Sequence, residues 1–266
     1  MEIIAYLCSA FIGISLGLIG GGGSIMTVPV LVYLFGTSPL LATSYSLFIV
    51  GSTSLVGAIS NYQKGLVSIK TAFLFGLSSI ATVFLTRKLI IPIIPKHIAH
   101  IGSLDISENI LTMVLFAALM VMAATAMIRK DKQRFDDRAG EKQLRLPALL
   151  SYGIVIGLAT GVLGAGGGFL LIPVLVLLVG LPMKQAVGTS LLIIALNSLI
   201  GFMGDLGHFA IDWFFLLRVT LIAVAGIFIG SYLGKHIDGS KLKKGFGWFV
   251  LVMGFYILIK ELLLKK

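Results

Sequence analysis

The chain has 266 residues, of which 58% are hydrophobic and only 12% charged, with a mean hydropathy of +1.05 and a formal net charge of +10. A soluble globular domain carries about 25% charge, so this balance excludes one and describes an all-α polytopic membrane protein. The basic excess reads as topology and not as nucleic-acid binding, because in such a chain the place of each Lys and Arg matters more than their sum.

In chain order, long uncharged runs occupy 3–19, 40–60, 71–86, 110–128, 147–168, 186–204, 219–234 and 245–259. Each reaches, or reaches once its polar ends are counted, the roughly 20 residues of a spanning helix. Two further runs, 24–35 and 169–179, have a dozen residues or so and suit short or re-entrant helices, giving about 8–10 membrane segments in all. The first run has Glu2 and no basic flank, so it is expected to stay in the mature protein and not to be cleaved as a signal peptide. Cys8 is the only cysteine, which excludes an intramolecular disulfide.

The chain repeats itself. At an offset of 144 residues, Ile12 to Gly57 matches Ile156 to Gly201 at roughly 19 of 46 positions, with the oddest residues among the matches. Gly13, Gly17, Gly20, Gly22, Gly23, Pro29, Gly36, Ser46, Ser54 and Gly57 align with Gly157, Gly161, Gly164, Gly166, Gly167, Pro173, Gly180, Ser190, Ser198 and Gly201. A duplicated, glycine-broken apolar segment is the best sequence pointer to the binding site of a secondary transporter.

The glycine clusters are Gly20-Gly21-Gly22-Gly23-Ser24 and Gly164-Ala165-Gly166-Gly167-Gly168. Glycine admits unusual dihedrals and lets backbone approach a ligand closely. Each cluster precedes a short apolar helix, whose first N–H groups and positive dipole end favour an anion. Both clusters are read as ligand-facing loops, against the alternative of close helix packing. The isolated glycines, such as Gly13 and Gly157, are read as packing.

Polar residues inside the runs supply further candidates. Ser46, Thr189 and Ser190 either donate to an anion or cap a helix. Asn197 bonds a neighbouring helix or the substrate. Arg218 lies some seven residues into the segment that begins near Ile211 and either faces a substrate anion, pairs with Asp205 or Asp212, or snorkels to the interface. Asp205 and His208 are expected in a solvated loop, and Asp105 and Glu108 at the start of the fifth segment complement a helix N-terminus. No H-E-x-x-H, P-loop or G-x-S-x-G motif occurs, so the chain is not read as an enzyme and no cofactor or metal is expected.

Residues 129–146 form the one stretch that reads as a soluble linker, carrying seven basic residues between Arg129 and Arg145. They divide the chain into a first membrane repeat, 1–128, and a second, 147–266, within one integral domain. A cytoplasmic linker places Lys64, Lys70, Lys184, Lys235, Lys241, Lys243 and Lys244 inside as well. Arg87, Lys88, Lys96, Lys260, Lys265 and Lys266 then fall outside. Each half has an odd number of crossings, so the repeats are expected to be inverted, with the basic Arg87 to Lys96 loop as the main contrary sign.

On the repeated glycine loops, Pro29 and Pro173, the Gly188-Thr189-Ser190-Leu191 run and the central charged linker, nearly the whole chain resembles the TauE/SafE family of sulfite exporter-like permeases. The resemblance implies a plasma or inner membrane permease for small anions, such as sulfite, organosulfonates or carboxylates, usually outward. The expected mechanism is alternating access, with the two loops, Ser46, Thr189, Ser190, Asn197 and Arg218 holding the anion and a proton or sodium ion as possible coupling ion. An anion-selective channel and a membrane assembly or sensor protein stay open beside it. Ser44 against Gly188 and Tyr45 against Thr189 break the repeat, which argues against a symmetric site.

Overall fold

The computed structural model describes residues 2–93, 97–101, 104–129, 146–164, 166–177, 179–233 and 239–261. Nearly all of the charged linker, and Ala165, Lys96, Lys235, Lys265 and Lys266, lie outside the described residues.

The described chain is helical. Helix α1 covers Glu2–Ile19, α2 Thr27–Tyr33, α3 Pro39–Gln63, α4 Ile69–Leu85 and α5 Glu108–Arg129. After the linker come α6, Leu146–Leu163, α7, Gly168–Leu177, α8, Met183–Asp205, α9, Trp213–Leu233, and α10, Gly239–Ile259. A short hairpin of β1, His97–Ile101, and β2, Leu104–Ser107, precedes α5. Glu108 sits in the first turn of α5, where it complements the helix dipole.

Among the described residues four helical stretches are long and apolar enough to cross a membrane: Pro39–Gln63, Ile69–Ile93, Met183–Asp205 and Trp213–Leu233. Shorter apolar helices stand beside them, including Tyr6–Leu18, Leu149–Leu163 and Gly247–Ile259.

Local signals set the helix ends. Pro39 opens α3 at a position where its missing N–H costs nothing. At the other end Gly65 takes φ +69°, and the Gly65 and Leu66 amides donate back to the Tyr62 and Asn61 carbonyls, which closes the helix. The Ser68 side chain then caps α4.

Packing follows small residues. Helix α1 lies along α9, α6 along α4, α3 along α8 and α5 along α10. Gly13 abuts Ala223 of α9 and Gly17 abuts Ile227 and Gly230, so α1 and α9 run parallel. A side chain at Gly157 would stand 2.7 Å from the Ser79 carbonyl oxygen, and one at Gly161 2.7 Å from Thr86 Cβ, so α6 and α4 also run parallel. Helices α3 and α8 run antiparallel, with Gly51 against Leu199 and Gly57 against Leu191. In lipid, where apolar surface gains little by leaving the tails, such backbone approach is what holds helices together.

Candidate functional site

Two glycine turns interrupt the bundle and meet inside it. The first leaves α1 at Gly20, whose φ of +72° only glycine adopts freely, and continues as a 3-10 turn, Gly21–Met26, into α2. The second leaves α6 through Gly164, Gly166 and Gly167, all with φ between +65° and +68°, and enters α7. Gly21 and Gly168 touch backbone to backbone, with the Ile194 side chain against both. No side chain fits between them.

Each turn is seated on the opposite half of the chain. Gly20 rests on Val187 of α8, with 2.8 Å between its would-be Cβ and Val187 Cγ1, and Gly164 rests on Thr43 of α3. Gly166 is wedged between Val50, Ile194 and Ser198, whose hydroxyl would stand 3.1 Å from a Cβ there. Gly23 packs on Ser15 and Gly167 on Thr160, each within its own half.

The polar atoms around the turns divide into two groups. Some are committed to the scaffold: Ser24 Oγ donates to the Gly21 carbonyl at 2.8 Å and Ser190 Oγ to the Val187 carbonyl at 2.8 Å. Thr189 Oγ1 accepts the Ser68 amide at 2.9 Å, tying α8 to the start of α4, and Asn197 donates through Nδ2 to Ser79 Oγ at 2.6 Å. Others are buried without a hydrogen-bond partner among the described residues: Oγ of Ser46 and Ser54 on α3, Asn197 Oδ1 and Ser198 Oγ on α8, and Thr27 and Thr160 Oγ1 beside the turns. An unmade hydrogen bond costs about 1–3 kcal/mol in a buried position. Of those on α3 and α8, Ser198 stands against Gly166 of the second turn, and both helices carry a turn, α3 through Thr43 and α8 through Val187.

Arg218 is elsewhere. It is exposed on α9, with its guanidinium 3.7 Å from the centre of the Phe214 ring, and does not meet the glycine turns. Asp212 does not pair with it; its carboxylate accepts the Phe215 amide at 3.0 Å and caps α9.

The buried cation is Arg87, and here two sequence expectations are corrected. Arg87 does not lie in an exterior basic loop, and Asp205 is not a solvated loop residue. Helix α4 continues into a π-helical turn, Thr86–Ile90, which directs Arg87 inward against α8. Arg87 Nη1 donates to Asp205 Oδ2 at 3.1 Å and to Thr43 Oγ1 at 3.0 Å, and both members of the ion pair are fully buried. Gly204 makes the room, since a side chain there would stand 3.0 Å from Arg87 Cβ. A signal existed in the sequence: the repeat offset aligns Asp205 with Asn61, so the position is polar in both copies. His208 is exposed beside the pair, its Nδ1 3.2 Å from the Gly204 carbonyl oxygen.

An apolar hollow of about 270 Å³ between α4 and α8 is lined by Ile69, Ala72, Phe73, Leu77, Ile80, Leu192 and Leu196. It offers nothing polar to an anion.

Residues 5–257 match the family described as Sulfite exporter TauE/SafE. The chain is 29% identical over 260 residues to a probable membrane transporter protein of Xylella fastidiosa strain 9a5c, covering 96% of this chain and 94% of that one. It is 28% identical over 282 residues to a probable membrane transporter protein of Haemophilus influenzae, covering 97% and 98%. The probable membrane transporter protein YdhB of Bacillus subtilis is 25% identical over 256 residues, covering 96% and 100%. No solved structure matches. With a helical bundle broken twice by glycine, and a match that runs almost end to end, the chain belongs to the TauE/SafE family of membrane transporters.

Proposed function

We propose that this protein moves a small sulfur-containing or carboxylate anion outward across the membrane by alternating access of two inverted repeats. The observation that carries the reading is the contact of Gly21 with Gly168, together with buried hydroxyls on α3 and α8 that have no partner among the described residues, Ser198 against Gly166 among them. An oxyanion would supply acceptors to those hydroxyls and to the turn amides, and such an arrangement needs no lysine.

The packing supports inversion. Gly57 meets Leu191 and Ile227, while Gly201 meets Leu47 and Val83, and the two sets exchange at the 144-residue offset. The same exchange carries the α1–α9 pairing onto α6–α4. Helices α3 and α8 are each other's counterparts and run antiparallel, so the axis relating them lies across the helices, in the plane of a membrane they span. Repeats 1–128 and 147–266 would then rock about the shared turns, with the linker 129–146 cytoplasmic. The sulfite exporter description of the family supports both the anion and the outward direction.

The test is counterflow in liposomes holding the purified protein. Vesicles preloaded with unlabelled sulfite, thiosulfate or sulfoacetate should accumulate the labelled anion transiently, a carrier's signature that a channel lacks. Linear, unsaturable flux without counterflow would overturn alternating access.

A further inference from the structure

Arg87 offers more than its ion pair uses. The guanidinium has five N–H donors in a fixed plane. Nη1 serves Asp205 and Thr43, whereas Nε and Nη2, the edge that meets an oxyanion with two parallel hydrogen bonds, have no partner among the described residues although the side chain is fully buried. Asp205 Oδ1 is likewise buried with no partner of good geometry among the described residues, and the Ser44 hydroxyl faces the same carboxylate. Thr43, which Arg87 holds through Nη1, is the residue on which Gly164 rests, so one residue separates the guanidinium from the second glycine turn.

We propose that the Nε/Nη2 edge of Arg87 is a docking site for the oxyanion on its way to or from the glycine turns, and that Asp205 takes up a proton when the anion binds, so that anion and proton cross together. The inference rests on the transporter reading above. Its physical reason is charge: the pair is neutral, a bound anion adds a negative charge in a dry site, and a buried uncompensated charge is costly. The proton comes from water on the side to which the site is open, bonds to a carboxylate oxygen of Asp205, and leaves to water on the other side, so no further reactant is needed. With a monovalent anion the cycle moves no net charge.

The surroundings leave Asp205 as the group that titrates with the anion. From the α4 side it faces Arg87; Lys88 directs its ammonium to the Phe84 ring, 5.5 Å from its centre. From α3 it faces Thr43 and Ser44, and the following Tyr45 is engaged with the Asp212 amide at 2.8 Å. Helix α6, which reaches Thr86 through Gly161, carries no charged residue, and beyond the end of α8 itself stands His208. The second half has Ser231 where the first has Arg87, so the site exists on one side only.

The experiment uses proteoliposomes of the full chain and whichever of sulfite, thiosulfate and sulfoacetate the wild type carries by counterflow, with internal pH followed by a trapped dye and protein-free vesicles as the blank. The expected result is proton entry with anion entry, at one proton per anion: insensitive to an imposed voltage for bisulfite, and carrying one net negative charge for thiosulfate and sulfoacetate, which are divalent at neutral pH. Asp205→Asn should keep anion exchange and lose the proton. Arg87→Lys, which keeps the charge without the two-pronged edge, should raise the half-saturating anion concentration about tenfold or more, as the loss of a charge-assisted hydrogen bond implies. The double variant Arg87→Gln with Asp205→Asn removes both charges and should fold, yet carry nothing. Anion entry without proton movement in the wild type overturns the inference and leaves the transporter reading standing. So does normal transport by the folded double variant, which would make the pair structural only. No carriage of any of the three anions by the wild type overturns both.

Discussion

Arg87 and Asp205 face each other at 3.1 Å with no exposed surface on either side chain, joining the end of α4 to the end of α8 across 118 residues of sequence. A buried ion pair adds little by itself, but removing one partner strands the other charge at a cost of about 3–5 kcal/mol. Arg87→Gln and Asp205→Asn are each expected to lower the unfolding temperature in detergent markedly, and the double variant to recover most of the loss. Additive losses in the double variant would show that the two side chains do not act as a pair.

Gly21 and Gly168 allow no side chain between them. Gly21→Ala and Gly168→Ala should each cost about 1–3 kcal/mol by overpacking and abolish transport, since the turns are forced apart. Gly36→Ala, at a turn where a side chain meets nothing, bears only the strain of φ +70° and should still transport. Transport by Gly168→Ala at the wild-type rate would remove the turns from the pathway. Liposome flux and thermal unfolding measured on the same preparations check both halves.

The unpartnered hydroxyls make a sharper distinction. Ser54 and Ser198 are buried with no hydrogen bond to lose, so Ser→Ala at either should leave stability within about 0.5 kcal/mol of wild type or raise it, while weakening anion transport. Thr189→Val should do the reverse, because it deprives the Ser68 amide of its acceptor and loosens α8 from α4 by about 1 kcal/mol. Parallel measurement of melting and of anion affinity separates the two classes.

Cys8 is the only cysteine, so a Cys8→Ser background is blank for labelling. Cysteines introduced at Gly65 and at Gly207, in the loops after α3 and α8, are expected to react with an impermeant maleimide from opposite sides of the membrane. Labelling of both from one side would contradict inversion.

Much of this architecture is legible in the sequence. The apolar runs anticipate the helices they contain, and the repeated glycines mark the two turns, because positive φ and backbone contact leave glycine no substitute. The choice among polar residues was not legible. Arg218 stands out in a linear reading as a cation inside an apolar segment, yet it takes the outer, exposed face of α9, over the Phe214 ring and away from the glycine turns. Arg87 looks like the first residue of a basic loop, and only the π-helical turn at Thr86–Ile90 and the space left by Gly204 turn it inward. Likewise the candidate donors differ once their partners are seen: Thr189 and Ser190 are bonded to backbone, while Ser46 has no partner among the described residues.

The most direct test of an anion site between the glycine turns is thermal unfolding of the purified wild-type protein with sulfite, thiosulfate, sulfoacetate, sulfate and chloride in turn. A ligand at 100 times its dissociation constant stabilises the folded state by about 2.7 kcal/mol, a shift of several degrees. The account predicts such a shift for at least one sulfur oxyanion, reduced in Ser198→Ala and absent with chloride. A folded wild-type protein whose melting is unmoved by every anion would contradict it.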